Sequence, residues 1–254
     1  MNTSEWVTDE QKNGQQEISH KFYKDALEIL NESRIPYLLA GAFALRHYTG
    51  VYRNTKDLDI FCKATDYTDI VKIFGEKGYK TEIVDSRWLA KAWQGEFFVD
   101  IIFSNTSNLN VIDDGWIENS EEGEVFGVKV PIIGAEDLIW SKMYVQNRER
   151  YDGADINHMI LRCGNDMDWK KIMNRLKQHW QLLLSQLLNF QFVYPSDRDI
   201  IPKWVMDELL QRAMEQYDLP LPQEKVCLGP LIDHQQYNTD IMQWGYKCIT
   251  SSKF

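Results

Sequence analysis

One stretch of the chain decides the fold: LLAGAFALRHY at residues 38–48, followed by RNTKDLDIF at residues 53–61. Its first part is a short apolar run that ends in a glycine–alanine pair and continues with helical spacing. In its second part, Asp57 and Asp59 stand on either side of a leucine. If this part forms a strand, its period of two places both carboxylates on the same face.

A third acid completes a candidate metal site. Two neighbouring carboxylates on one strand face repel each other unless a positive charge lies between them. A divalent cation that prefers oxygen ligands, above all Mg²⁺, is the natural occupant. Asp100 interrupts the apolar run at 97–103, and a charge in such a strand is seldom buried unless it is paired or bound to metal. We therefore predict a three-carboxylate metal site of Asp57, Asp59 and Asp100.

Each part of this predicted site also has a simpler explanation. Asp-x-Asp pairs occur on surface strands and at helix caps, and a glycine–alanine turn before a helix needs no ligand. For Asp100, the alternative to metal binding is a salt bridge with Arg46, Arg53 or Arg87. The combination of these features, in one order along the chain, favours the metal site.

Composition narrows the class of protein. The chain has 254 residues, of which 44% are hydrophobic, so it can bury a substantial core. It contains no run of about 18 apolar residues that would predict a membrane span, and its polar, acidic start lacks the features of a signal peptide. The net charge of −10 argues against a broad basic surface for nucleic acid. Four cysteines without zinc-ligand or redox spacing favour reduced thiols and a cytoplasmic location.

The hydrophobic patterns predict an α+β fold, with a mixed sheet flanked by helices and then a C-terminal helical domain. We divide the chain into a loose leader at 1–16, an α+β core at 17–133, a helical domain at 134–217 and an extended tail at 218–254 packed on the surface. Strands are predicted at 37–40, 55–62 and 79–84, and hairpins around Gly95 and Gly127. Helices are predicted at 17–33, between Gly41 and Gly50, between Asp66 and Gly78, and at 135–150, 152–162, 168–177, 180–192 and 202–217.

The predicted carboxylates suit two-metal catalysis. Such catalysis needs carboxylates that hold ions roughly 3.5–4 Å apart, which activate an attacking oxygen and bind a triphosphate. Asp57 and Asp59 supply two ligands, and Asp100 adds a third and is expected to help deprotonate an acceptor hydroxyl. The backbone N–H groups of Gly41 and Ala42 are expected to bind phosphate oxygens at the strand–helix turn, where glycine permits a close approach.

The order of these motifs resembles the DNA-polymerase-beta-type nucleotidyltransferase superfamily. Its motif is an apolar strand, Gly-Gly or Gly-Ser, then Asp-x-Asp and a distant third Asp, and the chain is similar to it over residues 36–160. Within it, the chain looks like the small bacterial branch of aminoglycoside and lincosamide nucleotidyltransferases and abortive-infection toxins. Arg53-x-Thr55 before the acid pair is typical of that branch, as is a helix like Glu136–Lys142. Ala42 differs from the usual Gly or Ser, so a hydroxyl contact to phosphate is absent there.

The resemblance implies an enzyme that transfers a nucleoside monophosphate from an NTP to a hydroxyl and releases pyrophosphate. It implies two Mg²⁺ ions, or Mn²⁺ in their place, bound by the three aspartates. The nucleotide-binding residues that it implies are Gly41, Ala42, Arg53, Thr55 and Lys142.

Two interpretations compete for the charged residues after residue 140. In the resembling enzymes a lysine like Lys142 contacts the phosphates, whereas the alternative is a solvated lysine whose stem packs on Trp140. A salt-bridge network is the preferred interpretation of the charged residues that follow, with a substrate role as the alternative. These residues are Arg148, Arg150, Asp152 and Asp155.

The sequence leaves the acceptor open. A small molecule, an RNA end and a protein hydroxyl all fit, although the acidic balance disfavours long RNA. The alternative function is a catalytically inactive nucleotide- or partner-binding module, such as a toxin–antitoxin component with an antitoxin-type protein partner. Aspartate-nucleophile phosphatases also use Asp-x-Asp, but their pair follows a long apolar strand and precedes a hydroxyl residue, unlike the pair in this chain. No membrane partner is predicted.

Overall fold

The computed structural model describes residues 9–53, 55–104, 109 and 111–248. Its strands are β1 (Leu38–Leu39), β2 (Asp57–Phe61), β3 (Lys80–Asp85), β4 (Leu89–Gln94), β5 (Phe97–Ile102), β6 (Glu121–Val125), β7 (Val128–Ile132), β8 (Val226–Cys227) and β9 (Lys247–Cys248). Its α-helices are α1 (Asp9–Ser33), α2 (Gly41–Thr49), α3 (Tyr67–Glu76), α4 (Asp114–Glu118), α5 (Ala135–Met143), α6 (Gly153–Cys163), α7 (Trp169–Arg175), α8 (Trp180–Val193), α9 (Lys203–Glu215) and α10 (Asn238–Met242).

A mixed sheet forms the centre of the fold. Within the described residues it has seven strands, in the order β3-β4-β5-β2-β1-β7-β6. Strand β2 lies in its middle, parallel to β5 and antiparallel to β1. The hairpins predicted around Gly95 and Gly127 are confirmed as β4–β5 and β6–β7. The mixed sheet, its flanking helices and the helices from α5 onward confirm the predicted fold class.

The period-two pattern of β2 and β5 separates an apolar face from a polar one. Leu58, Ile60, Val99 and Ile101 have no exposed surface and belong to the hydrophobic core. The acids of the two strands alternate with these residues and therefore lie on the opposite face. Burying the apolar side chains of both strands fixes the register, because a slip of one residue would turn the acids into the core.

The leader and the tail differ from the prediction. Helix α1 begins at Asp9, so residues 9–16 of the predicted leader are helical; the first eight residues of that leader lie outside the described part of the chain. The tail, predicted to be extended, contains the parallel pair β8–β9 and the short helix α10.

Among the described helices, none is both long enough and apolar enough to cross a bilayer.

The helix predicted over residues 135–150 is too long, because α5 ends at Met143. A turn centred on Asn147 replaces its last part. The Asn147 side chain accepts hydrogen bonds from the backbone N–H groups of Glu149 and Arg150, and its own backbone N–H donates to Arg150 O at 2.9 Å. Asparagine side chains compete with the helical backbone in this way. The turn reverses the chain and returns Arg150 towards the sheet.

Candidate active site

The parallel pairing of β2 with β5 brings the three predicted acids together. Asp59 lies directly opposite Asp100 in the register, and Asp57 is two residues before Asp59 on the same face. One carboxylate oxygen from each of the three side chains lies within 4.8 Å of the others. Acids separated by more than 40 residues in sequence thus form one cluster, as the sequence predicts.

Helix α2 begins directly against this cluster. Gly41 has φ of +59°, a conformation that favours glycine. A Cβ atom built on Gly41 would overlap the Asp59 carboxyl group, so only glycine lets this carboxylate lie against the turn. Ala40 provides no side-chain cap for α2, and the first N–H groups of a helix have no partner within the helix. The predicted phosphate-binding residues Gly41 and Ala42 are therefore the first two residues of a helix beside the acids.

We predict that Gly41→Ala weakens binding of Mn²⁺ or Mg²⁺ by at least tenfold, because the added methyl group displaces the Asp59 carboxylate. Gly95→Ala is the matched control, since Gly95 also has positive φ, +65°, but no atom lies within 4 Å of the position that a Cβ atom would take there. Both variants should lose about 1–2 kcal/mol of unfolding free energy from the left-handed backbone. Calorimetric titration with the metal ion measures the difference, and equal affinities in the two variants would contradict this geometry.

Burial and mutual repulsion make the cluster costly to ionise. Burial, and then the charges of Asp57 and Asp100, raise the pKa of Asp59 to about 7. Burial also raises the pKa of Asp100, against the opposing effect of Lys91. Groups with such shifts concentrate at functional sites, because folding alone gives no reason to assemble them.

The raised pKa of Asp59 predicts how the free energy of unfolding of the metal-free protein depends on pH. Its pKa is higher in the folded state than in the unfolded state, so the folded state binds more protons between about pH 4 and pH 7. The free energy of unfolding should therefore fall as pH rises through this window, by up to about 4 kcal/mol from this group. Urea unfolding with a chelator should show a flatter pH profile for Asp59→Asn than for the wild type. Identical pH profiles of the two proteins would show that the pKa of Asp59 is not raised by folding.

Lys91 is a neighbour of the acids that the sequence did not indicate. It lies opposite Asp100 in the β4–β5 register, its Nζ is 2.9 Å from Asp100 Oδ1, and it sits 4.0 Å from the centre of the Phe98 ring. The predicted alternatives for Asp100 are wrong, because none of the three arginines pairs with it. Arg46 lies over Tyr52, Arg53 pairs with Asp155, and Arg87 pairs with Asp85.

The oxygens of the cluster fit a divalent cation. Asp100 Oδ1 is buried and pairs with the Lys91 ammonium group. A carboxylate oxygen has more than one lone pair, so it can bind a cation in addition to this lysine. Three carboxylates within reach of one ion are the hard-oxygen ligands that Mg²⁺ and Mn²⁺ prefer.

Lys142 is the centre of a second charged cluster. It is buried, with 5% of its surface exposed, and its Nζ donates to Asp152 Oδ2 and to Asp155 Oδ2, at 2.8 Å in each case. The solvated lysine considered from the sequence is therefore wrong. A contact from Lys142 to phosphate stays a prediction, and these two carboxylates already use two of the three donors of its ammonium group.

The carboxylates of Asp152 and Asp155 each also form an ion pair with an arginine. Asp155 pairs with Arg53, which precedes the Asp-x-Asp strand. Asp152 binds Arg150 through two hydrogen bonds, Nε to Oδ1 at 2.8 Å and Nη2 to Oδ2 at 2.9 Å. The Arg150 charge lowers the pKa of Asp59 and Asp100, so its guanidinium lies close to the acid cluster. Arg150, Asp152 and Asp155 form the predicted salt-bridge network together with Lys142. The Arg148 side chain has no ion pair among the described residues. Arg150 is also near the acids, and a substrate role was its alternative interpretation from the sequence.

Thr55 is placed beside the first acid. Its hydroxyl donates to Asp57 Oδ1, and its carbonyl accepts a hydrogen bond from the Tyr23 hydroxyl at 2.5 Å. Helix α1 thereby anchors the segment that leads into β2. Four of the five residues predicted to bind nucleotide are therefore grouped near the acids: Gly41, Ala42 and Thr55 beside them and Arg53 just before them in the chain. Lys142 is linked to this group through Asp155, which pairs with both Arg53 and Lys142.

The family of the chain follows from a comparison of its sequence with family models. Residues 19–181, more than half of the chain, match the family described as "Nucleotidyl transferase of unknown function (DUF2204)". The chain belongs to this nucleotidyltransferase family. The resemblance predicted from the glycine–alanine turn and the three acids is thereby confirmed, and the matched span includes all of those residues as well as Lys142 and Arg150.

Several solved structures are similar to this nucleotidyltransferase. ANT(2″)-Ia in complex with adenylyl-2″-tobramycin is 17% identical over 62% of this chain and 95% of its own, with a TM-score of 0.45. The lincosamide antibiotic adenylyltransferase LnuA with lincomycin bound is 21% identical over 60% and 96%, with a TM-score of 0.40. An antigenic nucleotidyltransferase-like protein from Paracoccidioides brasiliensis is 15% identical over 71% and 90%, with a TM-score of 0.42. The comparison with curated proteins finds no match. These similarities are distant, so the family assignment rests on the family model.

Proposed function

We propose that this nucleotidyltransferase transfers a nucleoside monophosphate from an NTP to a hydroxyl acceptor, with two divalent cations, Mg²⁺ or Mn²⁺, in its site. The observation that carries the proposal is the convergence of Asp57, Asp59 and Asp100 beside the start of α2. Nothing in the packing of the core calls for three partly buried acids at one point of a sheet, whereas binding cations to a triphosphate does.

The three aspartates take distinct roles in this proposal. Asp57 and Asp59 would hold the cations, and Asp100 would add the third ligand and accept the proton of the acceptor hydroxyl. Bound cations would neutralise the triphosphate and stabilise the charge that develops on transfer. The acceptor oxygen forms a bond to the α-phosphorus, the bond from that phosphorus to the bridging oxygen breaks, and pyrophosphate leaves with the electron pair.

Positive and N–H groups around the acids would position the triphosphate. The backbone N–H groups of Gly41 and Ala42 point from the start of a helix, where anions are stabilised. Thr55 already orients the Asp57 carboxylate. Arg53 and Arg150 are 46% and 62% exposed at the side chain, so each can bind a phosphate oxygen while its carboxylate partner fixes its direction.

A single assay tests the proposed function. Each of the four NTPs, labelled at the α-phosphate, is incubated with Mg²⁺ and the protein, together with extract of small molecules, RNA or protein as the acceptor. Transfer of label to one fraction, with stoichiometric pyrophosphate, supports the proposal and identifies the class of acceptor. Binding of an NTP in calorimetry without any transfer would favour the inactive binding module instead. The net charge of −10 makes long RNA the least expected of the three acceptors.

Arg150 gives a prediction about substrate affinity. Arg150→Gln should raise the KM for the NTP by about tenfold, since a guanidinium contact to phosphate contributes about 1.4 kcal/mol or more. The matched control is Arg148→Gln, in the same turn and also exposed, which should change KM by less than about twofold. Initial rates at a range of NTP concentrations measure both. Equal effects of the two substitutions would assign Arg150 to the salt-bridge network alone.

A further inference from the structure

Two cysteines far apart in the sequence lie side by side in the tail. Strands β8 and β9 pair in parallel, with Val226 opposite Lys247 and Cys227 opposite Cys248. Both thiols are free and partly buried. The 20 residues between them explain why the spacing of the cysteines gave no indication of this contact.

Neighbouring interactions fix the register that makes the cysteines partners. Lys225 Nζ lies 5.5 Å from the centre of the Tyr246 ring, just before the paired strands. Lys247 donates its backbone N–H to Lys225 O at 2.7 Å and pairs its ammonium group with Glu224 Oε1 at 2.5 Å. A register shifted by one residue would break these contacts. The pairing of the two cysteines is therefore supported by side-chain contacts as well as by backbone hydrogen bonds.

We propose that Cys227 and Cys248 form a reversible disulfide that fastens the tail. Residues opposite each other on neighbouring strands are about 4.8 Å apart at Cα, within the range of about 4.4–6.8 Å that disulfides span. Side chains at paired positions of a sheet point to the same face. Burial raises the pKa of the Cys248 thiol, and a thiolate at Cys227 would raise it further, as expected for two sulfurs in proximity.

The other two cysteines are unsuited to this chemistry. Cys62 has no exposed surface, and burial raises the pKa of its thiol to about 12. The Cys163 thiol lies 3.8 Å from Tyr48 O in a different part of the fold. Among the four cysteines, all within the described residues, only Cys227 and Cys248 lie opposite each other in paired strands, so the tail pair is the expected site of an internal disulfide.

The oxidant that the proposal names is a low-molecular-weight disulfide such as oxidised glutathione. One cysteine thiolate attacks a sulfur of that disulfide, which breaks its S–S bond and releases one glutathione thiolate. The second cysteine then attacks the mixed disulfide, which forms the Cys227–Cys248 bond and releases the second glutathione thiolate. The two cysteines lose two electrons and two protons, and these convert one molecule of oxidised glutathione into two molecules of reduced glutathione.

The disulfide would close a loop that contacts the turn centred on Asn147. Within this loop, Asp233 Oδ2 accepts a hydrogen bond from the backbone N–H of Arg148 at 3.1 Å, and Leu231 is buried. Arg148 belongs to the turn that places Arg150 near the acids. Oxidation removes freedom from the undocked tail and so favours the docked one. The inference does not depend on nucleotidyl transfer, because it concerns the thiols and the backbone alone.

The test uses the full chain in buffers that contain oxidised and reduced glutathione. Mass spectrometry of the intact protein should show the loss of two hydrogens, and a non-reducing peptide map should link the peptides of Cys227 and Cys248. Cys227→Ser and Cys248→Ser should abolish this product, whereas the control Cys163→Ser should retain it. Oxidation should also slow proteolysis between residues 228 and 246 several-fold, and slow hydrogen exchange at the Arg148 amide.

Other outcomes would overturn the inference. Glutathione adducts that persist on both tail cysteines without an internal bond would show that the thiols cannot meet. A disulfide between any other pair, or the same product in Cys227→Ser, would show that the register of β8 and β9 differs from that described. An internal bond that reductant does not reverse would contradict the reversible character of the pair.

Discussion

Asp57→Asn is expected to lower the rate of nucleotidyl transfer by about a thousandfold or more, the largest effect that the structure predicts. The substitution keeps the shape of the side chain but removes one of the two charges on β2 that are proposed to hold cations. Loss of a metal ligand removes several kcal/mol of transition-state stabilisation, and each 1.36 kcal/mol corresponds to a factor of about ten in rate. The measurement is the single-turnover rate with α-labelled NTP and Mg²⁺.

Two controls make the Asp57 result specific. Asp85→Asn changes the last residue of β3, at the far edge of the same sheet, where the carboxylate pairs with Arg87. This variant should keep the wild-type rate within about twofold, because the Asp85 carboxylate pairs with Arg87 and is not part of the acid cluster. A chelator should reduce the wild-type rate to that of Asp57→Asn. Activity of Asp57→Asn equal to that of the wild type would remove the acid cluster from the mechanism.

Lys142→Met is expected to cost about 3–5 kcal/mol of unfolding free energy, the largest effect on stability. Removing the ammonium group leaves the buried carboxylates of Asp152 and Asp155 with one cation each, supplied by the partly exposed Arg150 and Arg53. Breaking a buried ion pair from one side is costly, because the remaining charge cannot return to water. Urea unfolding of the variant measures the loss.

The matched control for Lys142 is a lysine in an exposed pair of similar length. Lys129 lies 2.9 Å from Glu122 on the β6–β7 hairpin, with both side chains more than two-thirds exposed. Lys129→Met should cost less than about 1 kcal/mol. Adding Asp155→Asn to Lys142→Met should recover part of the lost stability, since one of the two buried carboxylates then carries no charge. A single Lys142→Met variant as stable as Lys129→Met would contradict the buried network.

The features predicted correctly from the sequence are those that depend on local pattern. The alternation of Asp57, Leu58, Asp59 and Ile60 is visible in a few residues and needs only the period of a strand. Asp100 could be predicted as an exception in an apolar run. These signals sufficed for the sheet, its hairpins and the three acids.

The features missed from the sequence depend on register and on turns. Lys91 could have been placed opposite Asp100 only by fixing the register of the hairpin predicted around Gly95, which was left open. The helix over residues 135–150 was predicted too long because its apolar spacing continues past Met143, whereas the Asn147 side chain ends it by competing for backbone N–H groups. The positions of Arg150, Lys142 and the tail cysteines all follow from contacts between distant segments, which no periodicity encodes.

The link between Arg53 and Asp155 joins the two halves of the chain that the predicted boundary near residue 133 would separate. All three acids and Gly41 precede that boundary, whereas Asp152, Lys142 and Arg150 follow it. A fragment cut there would keep every proposed metal ligand and lose the cations that offset their repulsion. Gene fusions or split-protein reporters built from this enzyme should therefore be divided elsewhere, since the acid cluster would otherwise be parted from the Lys142 and Arg150 charges that oppose the rise in the pKa of Asp59.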